Sequence, residues 1–429
     1  IQKHNSKTLK NFEFTPYALS KITNTKKNIP IEYISYVDSI GLYTPYKYKT
    51  RMSLDYAGAN LAYDVIQGQG QGMGTFLFSD ILGNHKIGFQ TSLVIDLEHS
   101  DFIFNYINLK NRINLGIQFY NMAHTSQRLY DPIFNEEYYD LIRDINFGFF
   151  IQNPFSKFSR IETGFYQNYL ERKEERINYF TRKESSMLKE SYNIMSYFVR
   201  YIWDNTRYLS GNRTSLEYMV APKNKNNDFI FDKISLDMKQ YFKLSYQSQT
   251  YLVTRLFLGS SFGEDARIFA IGGSGYNTFF HGDDNLLNPE YRSNVMDDSE
   301  YKYLSMNNFQ FPIRGYNIAQ KFGNKAMLFN IELRLPFLIY YFPTIKYLGQ
   351  LFGVVFIDAG VTWDESFLKF SNKENWDLSK NKGWIMSYGL GPRFNFFGMN
   401  WKLDYAWQYN PFKGTISSRN WYLSAGFDF

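Results

Sequence analysis

The sequence lacks two common structural devices, the disulfide bond and the membrane-spanning helix. It contains no cysteine, and it has no run of about 18 apolar residues that could cross a bilayer as a helix. Mean hydropathy is −0.40. Aromatic residues nevertheless make up 20% of the chain, more than a soluble core needs. Low hydropathy with many aromatics predicts a transmembrane β-barrel, in which every second residue faces a polar lumen.

The last ten residues, NWYLSAGFDF, alternate between apolar side chains and small or polar ones. A strand places successive side chains on opposite faces, so one face of this segment is apolar. That face comprises Trp421, Leu423, Ala425, Phe427 and Phe429. An amphipathic strand that ends on an aromatic residue is typical of outer-membrane β-barrels, and its apolar face is predicted to meet lipid.

Sixteen amphipathic segments predict a barrel of sixteen antiparallel strands with both termini in the periplasm. They lie near 48–60, 71–80, 85–96, 101–109, 112–122, 142–153, 157–170, 190–204, 211–221, 230–243, 247–261, 325–337, 350–362, 384–396, 399–409 and 420–429. The predicted periplasmic turns are short. The predicted outer connections are mostly long and include 123–141, 171–189, 262–324, 363–383 and 410–419. Residues 1–47 lack the pattern and are predicted to form a periplasmic segment or linker before a barrel over 48–429.

The charged phase of each strand is predicted to face the lumen. A charge on the lipid face costs about 2–4 kcal/mol at the bilayer midplane, whereas a polar lumen accepts it. In segment 350–362 this rule places Asp358 inside. It places Val355, Ile357 and Val361 on the outward face.

An ordered series of motifs accompanies the longest predicted loop. Pro312-Ile313-Arg314-Gly315-Tyr316 precedes FNIELRLPF over 329–337, and FIDAG follows over 356–360. By this series the chain resembles the BamA-type outer-membrane assembly and transport superfamily, also called the bacterial surface antigen family. The resemblance covers roughly 48–429. It implies a sixteen-stranded antiparallel transmembrane β-barrel whose long sixth outer loop carries the RGY motif.

The resemblance also implies that the RGY arginine folds back onto the inner wall. Strand parity separately places Glu332 and Asp358 inside, so a bidentate arginine–carboxylate contact would hold the loop there. The predicted lock between loop and lumen comprises Arg314, Gly315, Tyr316, Glu332 and Asp358. Two readings stay open: the lock takes part in transport, or it only holds the loop in place.

A second implied site is the seam between the first and last strands. Unpaired backbone groups at such an edge can template an incoming strand. Here the seam would join residues of about 50–58 to 420–429, and small residues in the first strand would ease its opening. The predicted seam residues are Ser53, Ala57, Gly58, Ser424, Gly426 and Phe429.

The chain departs from the family pattern in two places. The stretch 275–311 is an insertion rich in Asn and Asp, and a solvated surface loop is favoured over a calcium site because no EF-hand-like spacing is present. Residues 1–47 are too short for a POTRA domain. Around 51–96 the sequence instead resembles barrels that follow a periplasmic β-propeller.

Catalytic motifs are weak. Residues 259–263 fit a G-x-S-x-G pattern, but no helix is predicted after Ser261, which is therefore predicted to be an ordinary serine at a strand end. The five histidines show no metal-ligand spacing. We predict no enzyme activity, no catalytic residue, no metal and no cofactor. The lysines near the start lack any nucleic-acid-binding motif, so no nucleic acid partner is predicted.

Three functions remain open from the sequence. The first is insertion or translocation of polypeptides through the seam of a barrel integral to the bacterial outer membrane. The second is an anchor or docking platform for a periplasmic domain or partner proteins. The third is an open pore, which the RGY loop would obstruct. The predicted partners are outer-membrane lipids, periplasmic or outer-membrane proteins, and client polypeptides.

Overall fold

The computed structural model describes most of the region predicted to form the barrel. The described residues are 48–64, 69–92, 100–125, 129–131, 135–181, 183–207, 210–225, 227–245, 250–273, 278–281, 310–317, 319–336, 352–396 and 399–425. The chain separates into two units, Ile1–Thr50 and Arg51–Phe429. Residues 1–47 lie outside the described residues, so their assignment as a periplasmic segment stays a prediction.

Strands dominate the described residues. They are β1 (Met52–Asp64), β2 (Gln69–Asp80), β3 (His85–Ser92), β4 (Phe102–Asn108), β5 (Asn114–Thr125), β6 (Leu129–Asp131), β7 (Glu136–Pro154), β8 (Ser159–Asn178), β9 (Lys183–Asp204), β10 (Gly211–Ala221), β11 (Phe231–Ser245), β12 (Thr250–Phe262), β13 (Phe269–Ile271), β14 (Thr278–His281), β15 (Gln310–Phe311), β16 (Lys321–Gly323), β17 (Lys325–Leu335), β18 (Phe352–Trp363), β19 (Gly383–Phe396), β20 (Met399–Asn410) and β21 (Gly414–Ala425). A short 3-10 helix spans Lys373–Trp376. Within the described ranges, no helix has the length and apolarity needed to span a membrane.

Sixteen of these strands form one antiparallel meander, in which each strand pairs with the next. They are β1 to β5, β7 to β12 and β17 to β21. β12 pairs directly with β17, so the long connection between them leaves the wall and returns to it at neighbouring strands. The predicted sixteen-stranded antiparallel barrel with its long sixth loop is confirmed.

The two faces of the wall alternate as the period of two requires. In β18, Val355 and Ile357 are 49% and 41% exposed on the outer face. Val354, Phe356 and Asp358, on the inner face, are buried. The outer face is therefore apolar, and the polar phase points inward.

Three strands are longer than predicted. β7, β8 and β9 have 19, 20 and 22 residues. β8 and β9 include most of the predicted loop 171–189, and β7 includes the end of the predicted loop 123–141. At about 3.3 Å per residue, twenty residues span roughly twice the thickness of a bilayer core. The run Glu171 to Arg176 carries charge in both phases, so it lacks the alternation that marks a strand in sequence. Its charges pair within the sheet, as Arg143 and Lys173 do with Glu171 at 3.4 and 3.3 Å.

One outward position is covered by a loop. Val361 was predicted to face lipid but is fully buried, because it packs against Trp376 and Trp384. Trp376 belongs to the 3-10 helix in the connection between β18 and β19, and its Nε1 donates to the carbonyl of Phe370 at 2.9 Å. This connection covers outward-facing residues at the end of β18 and the start of β19. Alternation within one strand could not reveal that cover.

Lys321 joins this connection to the RGY loop. Its fully buried ammonium donates to the carbonyl of Asp377 at 2.6 Å and to that of Lys380. The adjacent amide of Phe322 donates to the carbonyl of Asn381 at 2.9 Å. Burial lowers the pKa of Lys321 to about 8. The contacts of Lys321 thus hold its ammonium at a buried position, where burial disfavours the charged form.

We expect the barrel to gain stability as pH rises from about 8 towards 10.5. The unfolded chain keeps Lys321 protonated up to its ordinary pKa of 10.5, whereas the folded chain releases that proton near pH 8. The unfolded state then binds more protons, so the free energy of unfolding rises with pH by at most about 3 kcal/mol. Urea unfolding below pH 8 and near pH 10 should show the gain relative to Lys321→Gln. A loss relative to that variant would contradict the assignment.

Candidate functional site

The RGY motif reaches the inner wall from a small three-stranded sheet. β13 pairs parallel with β15 and antiparallel with β16. A bridge between Gly273 and Ile313 extends this sheet to the residue before Arg314. The rings of Phe257 in β12 and Phe311 in β15 stack with their centroids 3.9 Å apart. The same cluster buries Phe269, Ile271 and Ile313. Burial of each of these side chains stabilises the fold by about 1.5–3 kcal/mol. The small sheet therefore holds the loop against the wall up to Ile313.

Arg314 contacts two buried carboxylates. Its Nε and Nη2 donate to Oδ2 and Oδ1 of Asp358 at 2.8 and 2.9 Å. Its Nη1 donates to Oε1 of Glu332 at 2.8 Å. The guanidinium carbon also lies 3.5 Å from the ring centroid of Phe356. This arrangement uses the planar fork of arginine, which matches a carboxylate with two parallel hydrogen bonds and stacks on aromatic faces.

Further charges complete the cluster. Asp404 in β20 lies 3.8 Å from Nη1 of Arg314 and 2.8 Å from Nη1 of Arg393. Arg334 contacts Glu332 at 2.8 Å. Together with Asp358, the cluster sets three carboxylates against three arginines. A buried charge without a partner is strongly unfavourable, so this balance allows five of the six groups to stay buried, while Arg334 is 11% exposed.

The backbone of Gly315 is held by three side chains from the last two strands. Its N–H donates to the hydroxyl of Tyr422 at 2.9 Å. Its carbonyl accepts from Gln408 at 2.8 Å and Asn420 at 2.9 Å. Its φ is +95°, and a Cβ here would lie 3.3 Å from that of Ala406. Left-handed backbone and close packing both require glycine at this position.

Tyr316 completes the tip of the loop. Its hydroxyl donates to the carbonyl of Met386 in β19 at 2.7 Å, and its ring is buried beside Leu328 and Ile385. Its own carbonyl accepts from the hydroxyl of Tyr422 at 3.3 Å. The three residues of the motif therefore contact β17, β18, β19, β20 and β21 on one continuous stretch of inner wall.

The structure brings together all five residues predicted as the lock. The site also includes members that were not predicted, namely Asn330, Arg334, Arg393, Asp404, Gln408, Asn420 and Tyr422. The alternation of side chains places Asp404, Gln408 and Tyr422 on the inward faces of their strands. Their meeting at the RGY tip depends on the stagger between strands, which alternation within each strand does not reveal.

The first-strand residues of the predicted seam lie in β1. Ser53 pairs with Ser79 of β2, and its hydroxyl donates to the carbonyl of Ser79 at 3.1 Å. Ala57 and Gly58 follow in the same ladder and are exposed or half-buried. β1 thus contributes small, accessible positions at the start of the barrel.

Within the described residues, Ser53 pairs with β2 and not with the last strand. Ser424 pairs with Lys402 of β20 on one side and with Thr278 of β14 on the other. β14 therefore occupies that edge of β21, and the seam residues stay a prediction. Gly426 and Phe429 lie outside the described residues.

Ser261 has no arrangement for nucleophilic catalysis. It is the penultimate residue of β12 and is fully buried. Its hydroxyl donates to the carbonyl of Asp232 at 3.0 Å and accepts from the amide of Arg267 at 2.8 Å. In the part of the chain that the structure describes, no group of three or more His, Asp or Glu side chains could hold a metal ion. The insertion 275–311, except for 278–281 and 310–311, lies outside the described residues.

The sequence matches no protein-family model and no curated protein sequence. Solved structures resemble it. BamA from Haemophilus ducreyi lacking POTRA domains 1–3 is 12% identical, with a TM-score of 0.51 over 89% of this chain and 71% of that chain. CdiB from Escherichia coli is 10% identical, with a TM-score of 0.53 over 89% of this chain and 68% of that chain. The fold is that of the BamA and CdiB barrels. The resemblance seen in the motifs is thus confirmed at the level of the fold.

We expect Arg314→Ala to lower the free energy of unfolding by about 3–5 kcal/mol, because it leaves Asp358 and Glu332 buried without their shared partner. Arg314→Lys keeps the charge but loses the fork, so its loss should be intermediate. Urea titration in lipid vesicles measures both.

Arg160, 37% exposed and paired with Glu162 at 2.7 Å, provides the control. Arg160→Ala should cost about 0–1 kcal/mol. Equal stability of Arg314→Ala and wild type would disprove the role of the cluster.

Gly315→Ala should destabilise the barrel more than Gly83→Ala. Both glycines have positive φ, +95° and +68°, but a Cβ at Gly83 would meet open space. Left-handed backbone alone costs about 1–2 kcal/mol for a non-glycine residue, and crowding against Ala406 should add to that only at Gly315. Thermal unfolding of the two variants compares these effects directly. Equal losses would show that the tip is not closely packed.

Proposed function

We propose that the protein is an integral outer-membrane barrel that inserts or translocates polypeptides at the seam between β1 and β21. The observation that carries this proposal is the RGY loop, which contacts the inner face of β17 to β21 and bonds to the last strand itself through Tyr422. A loop held in this way ties the state of the lumen to the strand that borders the seam.

The apolar outer face supports a place in the membrane. Outward residues of neighbouring strands are exposed in a continuous band, among them Tyr197, Val199 and Tyr201 of β9 and Leu216 and Tyr218 of β10. An exposed apolar surface of this extent is unfavourable in water and favourable against lipid. The even number of barrel strands supports our assignment of both termini to the periplasm.

The interior of the barrel argues against an open diffusion pore. Phe311, Ile313 and Tyr316 are buried against the inner wall, together with the ion cluster around Arg314. A side-chain network of this kind fills part of the lumen, whereas a diffusion pore leaves a water-filled channel. Strand templating at the seam needs no such channel.

The proposed mechanism involves no covalent chemistry. An edge strand presents N–H and C=O groups that pair with an extended polypeptide, and the lipid-facing side chains then move with the new strand into the bilayer. We accordingly assign no catalytic residue and no cofactor. The proposed partners are outer-membrane lipids, client polypeptides, and periplasmic or outer-membrane partner proteins, with no role for nucleic acid.

An anchoring or docking role is the second candidate. The resemblance of 51–96 to barrels that follow a periplasmic β-propeller and the large insertion 275–311 favour it. In that case the barrel would hold the assembly in the membrane without moving polypeptides.

Depletion of the protein in its host separates the two roles. A fall in many outer-membrane proteins would indicate general assembly, and loss of one exported protein would indicate a dedicated exporter. Wild type and Arg160→Ala should restore the lost proteins, whereas Arg314→Ala should not, because its loop is no longer held against the wall. Unchanged outer-membrane proteins after depletion would contradict transport and leave the anchoring role.

A further inference from the structure

A short strand from the insertion lies at the edge of the last barrel strand. β14 pairs antiparallel with β21, with Thr278 opposite Ser424, Phe280 opposite Leu423 and His281 opposite Tyr422. β20 pairs with the other edge of β21. Cα atoms of β14 also come within 8 Å of those of β1. β14 therefore lies where the first and last strands of the barrel would otherwise meet.

The ladder of β14 is short compared with those of the barrel wall. It has three paired positions and a bulge between Thr278 and Phe280. The ladder between β20 and β21 has ten paired positions. The hydrogen bonds of this pairing come from backbone groups, so another extended segment can form them, with a strength that depends on its β-propensity. The edge of β21 is therefore a strand-binding site that the chain fills with a weakly held segment of its own.

Tyr422 links this segment to the RGY loop. Its backbone pairs with His281, while its hydroxyl accepts from the amide of Gly315 at 2.9 Å and donates to the carbonyl of Tyr316 at 3.3 Å. β14 and the RGY tip belong to the same connection between β12 and β17. That connection thus contacts β21 twice, once at its backbone edge and once on its inner face.

We propose that β14 is a seam cap, an internal strand that occupies the edge of β21 until a client strand displaces it. This inference rests on the proposed function, since it names the regulation of the same seam. The displacing segment is an extended polypeptide that runs antiparallel to β21. A tethered strand acts at an effective concentration of about 1 mM, so it excludes a free strand at about 10 μM by roughly a hundredfold. A client therefore has to be delivered to the seam at high local concentration, and we assign this delivery to a partner protein.

Capture of a synthetic peptide tests the cap without any assumption about transport. The probe is a fluorescent peptide of residues 276–283 at about 10 μM, and the protein is the full chain in lipid nanodiscs. The uncapped variant carries Thr278→Gly, Phe279→Ser, Phe280→Gly and His281→Ser, which keeps the length of the loop. It should capture about a hundredfold more peptide than the wild type.

A peptide N-methylated at alternate backbone nitrogens should bind to neither, because it cannot donate the ladder hydrogen bonds. Equal capture by wild type and variant would overturn the proposal.

A cysteine pair tests the cap in an intact chain. Because the sequence has no cysteine, Thr278→Cys with Ser424→Cys provides a single possible disulfide between β14 and β21. When oxidised, this variant should fail to restore the outer-membrane proteins lost on depletion, and a reductant should recover them. Leu403→Cys with Leu423→Cys is the matched control, since it joins β20 to β21 and leaves β14 free. A crosslinked cap that supports normal levels would overturn the proposal.

Depletion and peptide capture together distinguish failure of the cap from failure of the proposed function. If depletion leaves outer-membrane proteins unchanged, polypeptide transport is wrong, and peptide capture alone decides whether β14 occludes the edge. If depletion has its effect but capture is equal in both proteins, the cap alone is wrong.

Discussion

The buried contact of Arg314 with Asp358 and Glu332 is the interaction on which the rest of the site depends. The inner wall at this level carries three carboxylates, and removing them from water is unfavourable unless positive charge accompanies them. Arg334 and Arg393 provide part of that charge from the wall itself. The remainder comes from the loop, so the wall reaches charge balance only when the RGY tip is in place.

The geometry of the tip extends this constraint to the edge of the barrel. Arg314 fixes the loop on β17 and β18, and the adjacent glycine then presents its backbone to the side chains of β20 and β21. Tyr422 is the last of these contacts and belongs to β21, the last strand of the meander. A single buried cluster thereby connects the loop to the last five strands, including the one whose edge pairs with β14.

The alternation of residues sufficed to predict sixteen strands, their faces and the inward position of Asp358. It failed where solvent, a covering loop or a partner far away in the sequence changes the environment of the same residues. Glu171 to Arg176 carry charge in both phases because water surrounds both faces there, so the strand was predicted as loop. Val361 is covered by the connection that follows its own strand. β14 is four residues long within a polar insertion, and its pairing with β21 spans well over a hundred residues of sequence, which no local pattern reports.

A double-mutant cycle between Arg314→Ala and Tyr422→Phe tests the central claim, that one cluster ties the RGY loop to the seam strand. Arg314 lies in the tip itself, whereas Tyr422 holds the adjacent Gly315 and Tyr316 from β21. If the tip acts as one unit, the two losses in the free energy of unfolding should not add, and the coupling should lie within about 0.5–3 kcal/mol. Additive losses would show that the loop is held at two independent points, which contradicts the account.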